Sequence, residues 1–388
     1  MRLGAESAPI AGMSLTEFDS LVATILVAVF LLAAVLGFVM RETRFCTMGA
    51  ISDVVYVGDW MRMRQWAMAV GVAMCGFAAL AVWGGLVVGD TLYATKQVLW
   101  LSAIVGGLMF GVGMVLASGC GARNLTRLGG GSLKSLVVLL VMAVAAFATL
   151  KGMTAVARVR WLDSVHWNTS TLALLPDLLA QATSWSLVNL RAVLGLGLGA
   201  VLVLLAWGRG AKNGSAGRDV AVLAGGAAVG ACVTAAWWLS GHVGEVQEHP
   251  ASLEHVYAAT YSGRIEAFSF VAPVAHALDW LMFFSDRNKV LTWGVAAVAG
   301  MVLGGWLHAL WRRDFRWQGF ADTADLARHL LGAMLMGVGG VVAMGCTIGQ
   351  GVSAISILHV GSFIAVASIV LGAVAALRYL AWREERMA

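Results

Sequence analysis

Nine long apolar runs without Asp, Glu, Lys or Arg are the feature that most restricts how this chain can fold. Six of them reach the ~20 residues that an α-helix needs to cross the hydrocarbon core of a bilayer. The three shorter ones can still cross if flanking residues such as Lys134, Lys151, Arg191 and Arg209 extend to the interface, or they can end inside the membrane beside a loop. The nine runs are residues 21–40, 66–89, 98–118, 135–150, 192–207, 220–240, 290–311, 330–345 and 355–377.

The composition agrees with a membrane protein and excludes an ordinary soluble domain. The 388 residues are 60% hydrophobic and only 12% charged, whereas about a quarter of the residues of a soluble domain are charged. The sequence therefore predicts an all-α polytopic membrane protein with about nine transmembrane helices in a single transmembrane domain, residues 1–388.

The positions of the basic residues predict the orientation of this protein. With an external N-terminus, the predicted cytoplasmic segments hold most of the 26 Lys and Arg residues, as the positive-inside rule requires. We expect a periplasmic N-terminus and a cytoplasmic C-terminus. The net charge of +5 thus reflects membrane topology and does not indicate nucleic-acid binding.

A glycine-flanked cysteine occurs twice after the same lead-in, FGVGMVLASGC at 110–120 and MGVGGVVAMGC at 336–346. Cys120 and Cys346 are thus equivalent at an offset of about 226, and each follows an apolar run that could cross a bilayer. Two interrupted helices at corresponding places in two halves of a membrane protein are typical of a transport site. The matching residues are Gly111, Gly113, Gly119 and Cys120 in the first copy and Gly337, Gly339, Gly345 and Cys346 in the second.

This duplication predicts an inverted repeat. Equivalent helices are five crossings apart, an odd number, so they must run in opposite directions. We expect a first repeat at 19–156, a connecting segment with the fifth helix at 157–217, and a second repeat at 218–388. Segments 45–58 and 265–278 precede equivalent Asp-Trp pairs and are too short to cross, so we expect them to dip into the membrane as re-entrant segments.

The loops that carry the cysteines have the composition of an anion site. Glycine allows positive φ and close approach of main-chain amides, and helices that restart after a break direct their amides at the site. Cys46, in the first dipping segment, adds a third thiol, and thiols suit a polarizable sulfur better than hard oxygen. The alternative is that each cysteine is only a small residue in a tight turn. The expected supporting residues are Gly119, Gly121, Arg123, Asn124, Gly345, Thr347, Gly349, Gln350 and Gly351.

The remaining cysteines and histidines point to no further chemistry. Cys75 and Cys232 lie in mid-helix and are interpreted as packing residues. The five cysteines have no zinc-ligand spacing, and no run resembles a complete nucleotide-binding motif, so we expect neither a metal nor a cofactor. His308 and His359 lie near span ends, where we expect solvated interfacial positions.

Three segments resemble motifs of the YeeE/YedE family of sulfur transport membrane proteins: TRFCTMGAISD, SGCGARNLTRLGGGSLKSL and MGCTIGQGVSAISIL. The resemblance covers essentially the whole chain. It implies uptake of thiosulfate or a related sulfur-containing anion across the bacterial inner membrane, through an hourglass-shaped protein. It further implies that Cys46, Cys120 and Cys346 relay the ion by transient thiol hydrogen bonds, and that a cytoplasmic TusA-like sulfur-carrier protein is a partner.

Several alternatives remain open from the sequence. A membrane sulfurtransferase or thiol oxidoreductase would use Cys120 or Cys346 as nucleophile, but neither has a His, Lys or Asp within five residues to activate it. A non-transporting partner of a soluble sulfur carrier and a transporter of selenium compounds are the others. Glu266, His276 and Asp279, in the second dipping segment, are candidates for gating, for a coupled proton or for structural hydrogen bonds.

Overall fold

The computed structural model describes residues 14–208, 216–286 and 289–387 of the chain. The predicted placement of the N-terminus and the flanking residue Arg209 lie outside the described residues. Nine long helices dominate the described part of the chain. They are α1 (Leu15–Glu42), α3 (Met61–Val82), α4 (Trp100–Leu116), α6 (Leu133–Lys151), α9 (Leu187–Gly208), α10 (Ala216–Trp238), α12 (Trp293–Arg312), α13 (Thr323–Val342) and α14 (Val360–Met387).

Short elements connect these helices. They are the helices α2 (Thr47–Tyr56), α5 (Gly121–Gly129), α7 (Met153–Ala157), α8 (Leu175–Ala182) and α11 (Ala272–Met282), a 3₁₀ turn at Val88–Asp90, and π-helical turns at Arg158–Leu162, Leu239–Val243 and Gly349–Ala354. Two antiparallel pairs, β1 (Gln97–Val98) with β2 (Trp167–Asn168) and β3 (Glu245–Val246) with β4 (Val256–Tyr257), complete the described elements.

The prediction of an all-α chain with nine membrane-spanning helices is confirmed. Within the described ranges, nine helical segments are long and apolar enough to cross a membrane. The three shorter apolar runs belong to α6, α9 and α13, which have 19, 22 and 20 residues. These helices are longer than their apolar runs because polar residues extend them. In α13, for example, the first turn after the N-cap Asp322 is polar and precedes the apolar run.

The contacts between helices match between the two halves of the chain. Helix α1 packs on α12, and its counterpart α10 packs on α3; α4 packs on α14, and its counterpart α13 packs on α6. The short helix α2 lies on α3 and α14, and α11 lies on the equivalent α12 and α6. Helix α9, which has no counterpart, packs mainly on α3. This pairing is what a duplicated chain requires, while the opposed orientation of the repeats stays a prediction.

The crossing of α4 and α13 lies at the centre of this arrangement and is built on glycine. A Cβ atom on Gly113 would lie 2.7 Å from the carbonyl oxygen of Gly332, and one on Gly332 would lie 2.7 Å from that of Gly113. Gly106 and Gly339 form the equivalent pair, at 2.8 and 2.7 Å. Backbones this close exclude any side chain, as in small-residue contacts between membrane helices. The two helices that precede Cys120 and Cys346 are therefore held in direct contact.

We predict that Gly113→Ala destabilises the protein, whereas Gly197→Ala does not. The first substitution forces a methyl group against the Gly332 carbonyl, and such overpacking costs about 1–3 kcal/mol. Gly197 lies on an exposed part of α9 with no atom near its added Cβ, so alanine there mainly improves helix propensity. Thermal unfolding of the detergent-solubilised variants measures both effects. Equal melting temperatures of the two variants would contradict the tight crossing.

Candidate functional site

Each of the three predicted cysteines lies at the start of a short helical segment. Cys46 is the N-cap of α2 and Cys120 that of α5, while Cys346 precedes the π-helical turn Gly349–Ala354. The sulfur of Cys46 accepts a hydrogen bond from the Gly49 N–H at 3.5 Å, and that of Cys346 accepts one from the Gly349 N–H at 3.4 Å. A sulfur that accepts from an amide keeps its own proton free to donate.

Cys46 and Cys346 share a four-residue turn that the sequence analysis missed. Both positions read Cys-Thr-x-Gly, residues 46–49 and 346–349, and the glycine N–H contacts the cysteine sulfur in each. The Cys-Thr-x-Gly pattern is visible in the sequence. Its two copies are 300 residues apart, however, whereas the two halves of the chain were aligned at a spacing of 226 residues. Cys120 lacks this turn, and its side chain makes no capping hydrogen bond.

The breaks at Cys120 and Cys346 have the same backbone conformation. Ser118 and Met344 are left-handed, with φ of 56° and 57°, and Gly119 and Gly345 both have a φ of 156°. The N–H of Gly119 donates to Met114 at 2.8 Å, and the N–H of Gly345 donates to Gly340 at 2.8 Å. A non-glycine residue with positive φ is uncommon, so its occurrence at both equivalent positions indicates a shared structural requirement.

The three breaks meet in the interior of the protein. The thiols of Cys46 and Cys120 are direct neighbours, and the Thr347 hydroxyl lies beside Cys120. Cys46, Cys120 and Cys346 are 4%, 1% and 1% exposed. Segments that are distant in the sequence thus place their thiol turns together in the core.

Two amide side chains among the predicted supporting residues brace the breaks. The Asn124 side-chain N–H donates to the carbonyls of Gly119 and Cys120, each at 3.1 Å. The Gln350 side-chain N–H donates to the carbonyl of Ala343 at 2.8 Å, while its Oε1 atom is buried without a partner in the described residues. The bonds to Gly119 and Ala343 satisfy carbonyl groups at the end of a helix, whereas the Cys120 carbonyl also accepts the Asn124 backbone N–H at 3.0 Å.

Two hydroxyl groups next to the thiols lack ordinary hydrogen bonds. Within the described part of the chain, Oγ1 of Thr47 and Oγ1 of Thr347 are both buried and find no hydrogen-bond partner. Buried hydroxyl groups are nearly always paired, and an unpaired one needs an explanation such as a ligand or water. Thr347 was predicted as a supporting residue, whereas Thr47 was not.

Positive charge lies beside the thiols on one side. Arg123 was predicted, and Arg127 follows it by one turn of α5; the charges of both act on the Cys46 thiol. The Arg127 Nη1 donates to the Ser118 carbonyl at 2.8 Å, which fixes it to the break. Arg62 is held by Asp53 at 3.2 Å and packs over Gly49, where an added Cβ would lie 2.5 Å from Nη1. The i, i+4 spacing of Arg123 and Arg127 was a sequence signal for the second arginine.

The remaining predicted glycines allow close approach of other elements. Gly121 faces Met142 and the carbonyl of Phe270, and Gly351 faces the ring of Trp66. Gly349 faces two hydroxyls, Ser269 and Tyr93. All three glycines are buried, so they serve the packing of the breaks.

A cavity of about 350 Å³ ends at the Cys346 break. Glu266 and His276 line it, together with Met344 and Gly345. The ring of His276 stacks on that of Tyr261, with ring centres 3.8 Å apart. Asp279 does not line the cavity and pairs instead with Lys289, so the three polar residues of the second dipping segment separate into two environments.

The other cysteines and histidines pack in the structure. Cys75 contacts the Leu196 carbonyl through its sulfur at 3.7 Å, and Cys232 is buried. The expectation of solvated positions for His308 and His359 is wrong, because both side chains are buried. His308 pairs with Glu42 at 2.7 Å, and the His359 ring forms a hydrogen bond with the Ser362 hydroxyl at 2.9 Å.

Comparisons with known proteins identify relatives of this chain. The sequence model of the family described as "Sulphur transport" matches residues 42–375. The chain is 27% identical over 348 residues to the thiosulfate transporter TsuA of Escherichia coli (strain K12), covering 87% of this chain and 90% of that protein. It is 25% identical over 343 residues to the thiosulfate transporter TsuA of Spirochaeta thermophila, covering 87% and 93%. With nine helices that can span a membrane in its described part and a family match over most of its length, the chain belongs to the sulphur transport family of membrane proteins.

Proposed function

We propose that this protein takes up thiosulfate, or a closely related sulfur anion, across the bacterial inner membrane along a path relayed by Cys46, Cys120 and Cys346. The observation that carries the proposal is the meeting of three buried thiol turns, with Cys46 beside Cys120 and Thr347 beside Cys120. The names of the two TsuA relatives support thiosulfate as the cargo. Supporting residues of the path are Gly119, Gly121, Arg123, Asn124, Gly345, Thr347, Gly349, Gln350 and Gly351.

Several weak donors suit the passage of a dianion better than one strong partner. An ion in a medium of low dielectric constant needs compensating donors at every position, yet binding must stay weak enough for release. Thiols donate weakly, and their polarizable sulfur matches the terminal sulfur of thiosulfate. Arg123 and Arg127 contribute positive charge near Cys46 without contacting every position along the path.

The proposed orientation assigns each thiol to a side of the membrane. A periplasmic N-terminus and two opposed repeats, 19–156 and 218–388, would bring the Cys346 break in from the periplasm and the Cys120 break in from the cytoplasm. The matching helix contacts and the identical backbone of the two breaks support a duplication of this kind. The cavity that ends at Met344 and Gly345 would then be the periplasmic entrance.

On the cytoplasmic side we propose a TusA-like sulfur-carrier protein as the partner that receives the sulfur. The predicted cytoplasmic position of the C-terminus and the family resemblance support this partner. A carrier that consumes the ion would keep its cytoplasmic concentration low and so favour net uptake.

We expect Cys46→Ala, Cys120→Ala and Cys346→Ala each to reduce uptake of radiolabelled thiosulfate at least about tenfold, since one lost hydrogen bond to a charged group is worth about 1.5–3 kcal/mol. Cells that lack other thiosulfate uptake systems are the assay. Cys75→Ala and Cys232→Ala are matched controls and should transport normally, because these thiols pack away from the breaks. Unchanged uptake in the first three variants at equal expression would remove the relay.

A second prediction separates transport from sulfur-transfer chemistry. The three thiols should remain unmodified after incubation of the purified protein with thiosulfate, because a relay by hydrogen bonds forms no covalent bond. Mass spectrometry of the peptides that contain Cys46, Cys120 and Cys346 measures this. A persulfide on any of them, formed at a rate that matches turnover, would favour a sulfurtransferase instead.

A further inference from the structure

The cavity beside the Cys346 break contains two hydroxyl groups that the thiol relay leaves unused. Tyr93 belongs to the segment between α3 and α4, and Ser269 to the segment before α11; both line the cavity. The Tyr93 side chain is only 3% exposed. Among the hydrogen bonds of the described residues, neither of these hydroxyls has a partner. Because both residues line the cavity, their free hydroxyls are available to a ligand or to water there.

Both hydroxyls converge on the residue that holds the Cys346 thiol. A Cβ atom on Gly349 would lie 2.7 Å from Oγ of Ser269 and 3.2 Å from the hydroxyl oxygen of Tyr93. The N–H of the same glycine donates to the sulfur of Cys346 at 3.4 Å. Gly349 therefore contacts both hydroxyls and the Cys346 thiol, and the absence of a side chain there keeps these three groups close together beside the end of the cavity.

This combination of donors suits an anion with two chemically different ends. Thiosulfate carries a terminal sulfur at one end and three oxygens at the other. Hydroxyl donors form short, strong hydrogen bonds with charged oxygen, whereas a thiol is a weak donor to oxygen. A site with thiols alone would bind the sulfur end and leave the oxygen end desolvated, at a cost of several kcal/mol for a buried charge.

We propose that Tyr93 and Ser269 bind the oxygen end of the sulfur anion while Cys346 faces its terminal sulfur, which makes the two hydroxyls specificity-determining residues. The inference rests on the proposed function and extends it to the part of the substrate that the cysteines do not recognise. It assigns the cavity to anions in which a sulfur atom is bonded to an oxyanion group.

The charged groups around the cavity are compatible with an anion at this end. The Oε1 atom of Glu266 accepts from the N–H of Ser262 at 3.0 Å and from its hydroxyl at 2.6 Å. These two donors partly compensate negative charge on the Glu266 carboxyl group. Asp163 also lines the cavity and is neutralised by Arg158 at 3.1 Å.

The test compares the thiosulfate concentration at half-maximal uptake in Tyr93→Phe and Ser269→Ala with that of the wild type. Each variant removes one hydroxyl donor to a charged oxygen, so we expect the half-maximal concentration to rise about tenfold or more, with the maximal rate nearly unchanged. Matched controls are Tyr257→Phe and Ser240→Ala. Their hydroxyls donate to Asp90 at 2.9 Å and to the Glu266 carbonyl at 2.6 Å, so their loss affects stability rather than affinity.

The outcomes distinguish this inference from the proposed function. If Cys346→Ala abolishes uptake while Tyr93→Phe and Ser269→Ala keep the wild-type half-maximal concentration, the assignment of the hydroxyls is wrong and the relay stands. The assignment is also wrong if the two variants only lower the maximal rate, which is the effect expected from a loss of folded protein. If the wild-type protein takes up no thiosulfate, the proposed function fails and the assignment fails with it.

Discussion

The structure depends on how a helix can be interrupted in the apolar interior without leaving its backbone unpaired. Each free N–H or carbonyl group there costs free energy, so the break needs its own partners. At Cys120 the N–H of Gly119 folds back onto Met114, and Asn124 binds two carbonyls. At Cys346 the N–H of Gly345 folds back onto Gly340, and Gln350 takes the place of Asn124. Asn124 and Gln350, which the sequence analysis predicted to support substrate binding, thus stabilise the two chain breaks that carry Cys120 and Cys346.

Glycine in the preceding helices determines where the two breaks lie relative to each other. Helices α4 and α13 cross through two reciprocal glycine pairs, one of which joins Gly113 to Gly332. Gly113 and its counterpart Gly339 precede their cysteines by the same number of residues. Because Gly113 meets Gly332 while Gly106 meets Gly339, the ends of α4 and α13 that lead into the two breaks lie at opposite ends of this crossing. The glycines therefore act at two levels: they let the helices touch, and at Gly119 and Gly345 they let the chain turn. Both requirements appear in the sequence as one repeated motif.

Much of the fold could be predicted because it follows from local patterns, whereas much of the site could not. Apolar runs predicted all nine long helices, and the repeated glycine–cysteine motif predicted both breaks. The burial of His308 was missed because its partner, Glu42, is distant in the sequence. Tyr93 carried no local signal, since its role arises only when its segment folds against Gly349. Neighbouring residues specify a turn, but a site assembled from several segments depends on tertiary contacts.

The three thiols differ in the groups that surround them. Cys46 and Cys346 each accept a hydrogen bond from a glycine N–H, which orients the sulfur. At Cys120 the corresponding N–H is that of Arg123, and the buried thiol lies between Cys46 and Thr347. Thr47 and Thr347 follow the two thiols that a glycine N–H orients, and their hydroxyls are buried. An anion on the proposed path would therefore meet a thiol and a hydroxyl at each end and the Cys120 thiol between them.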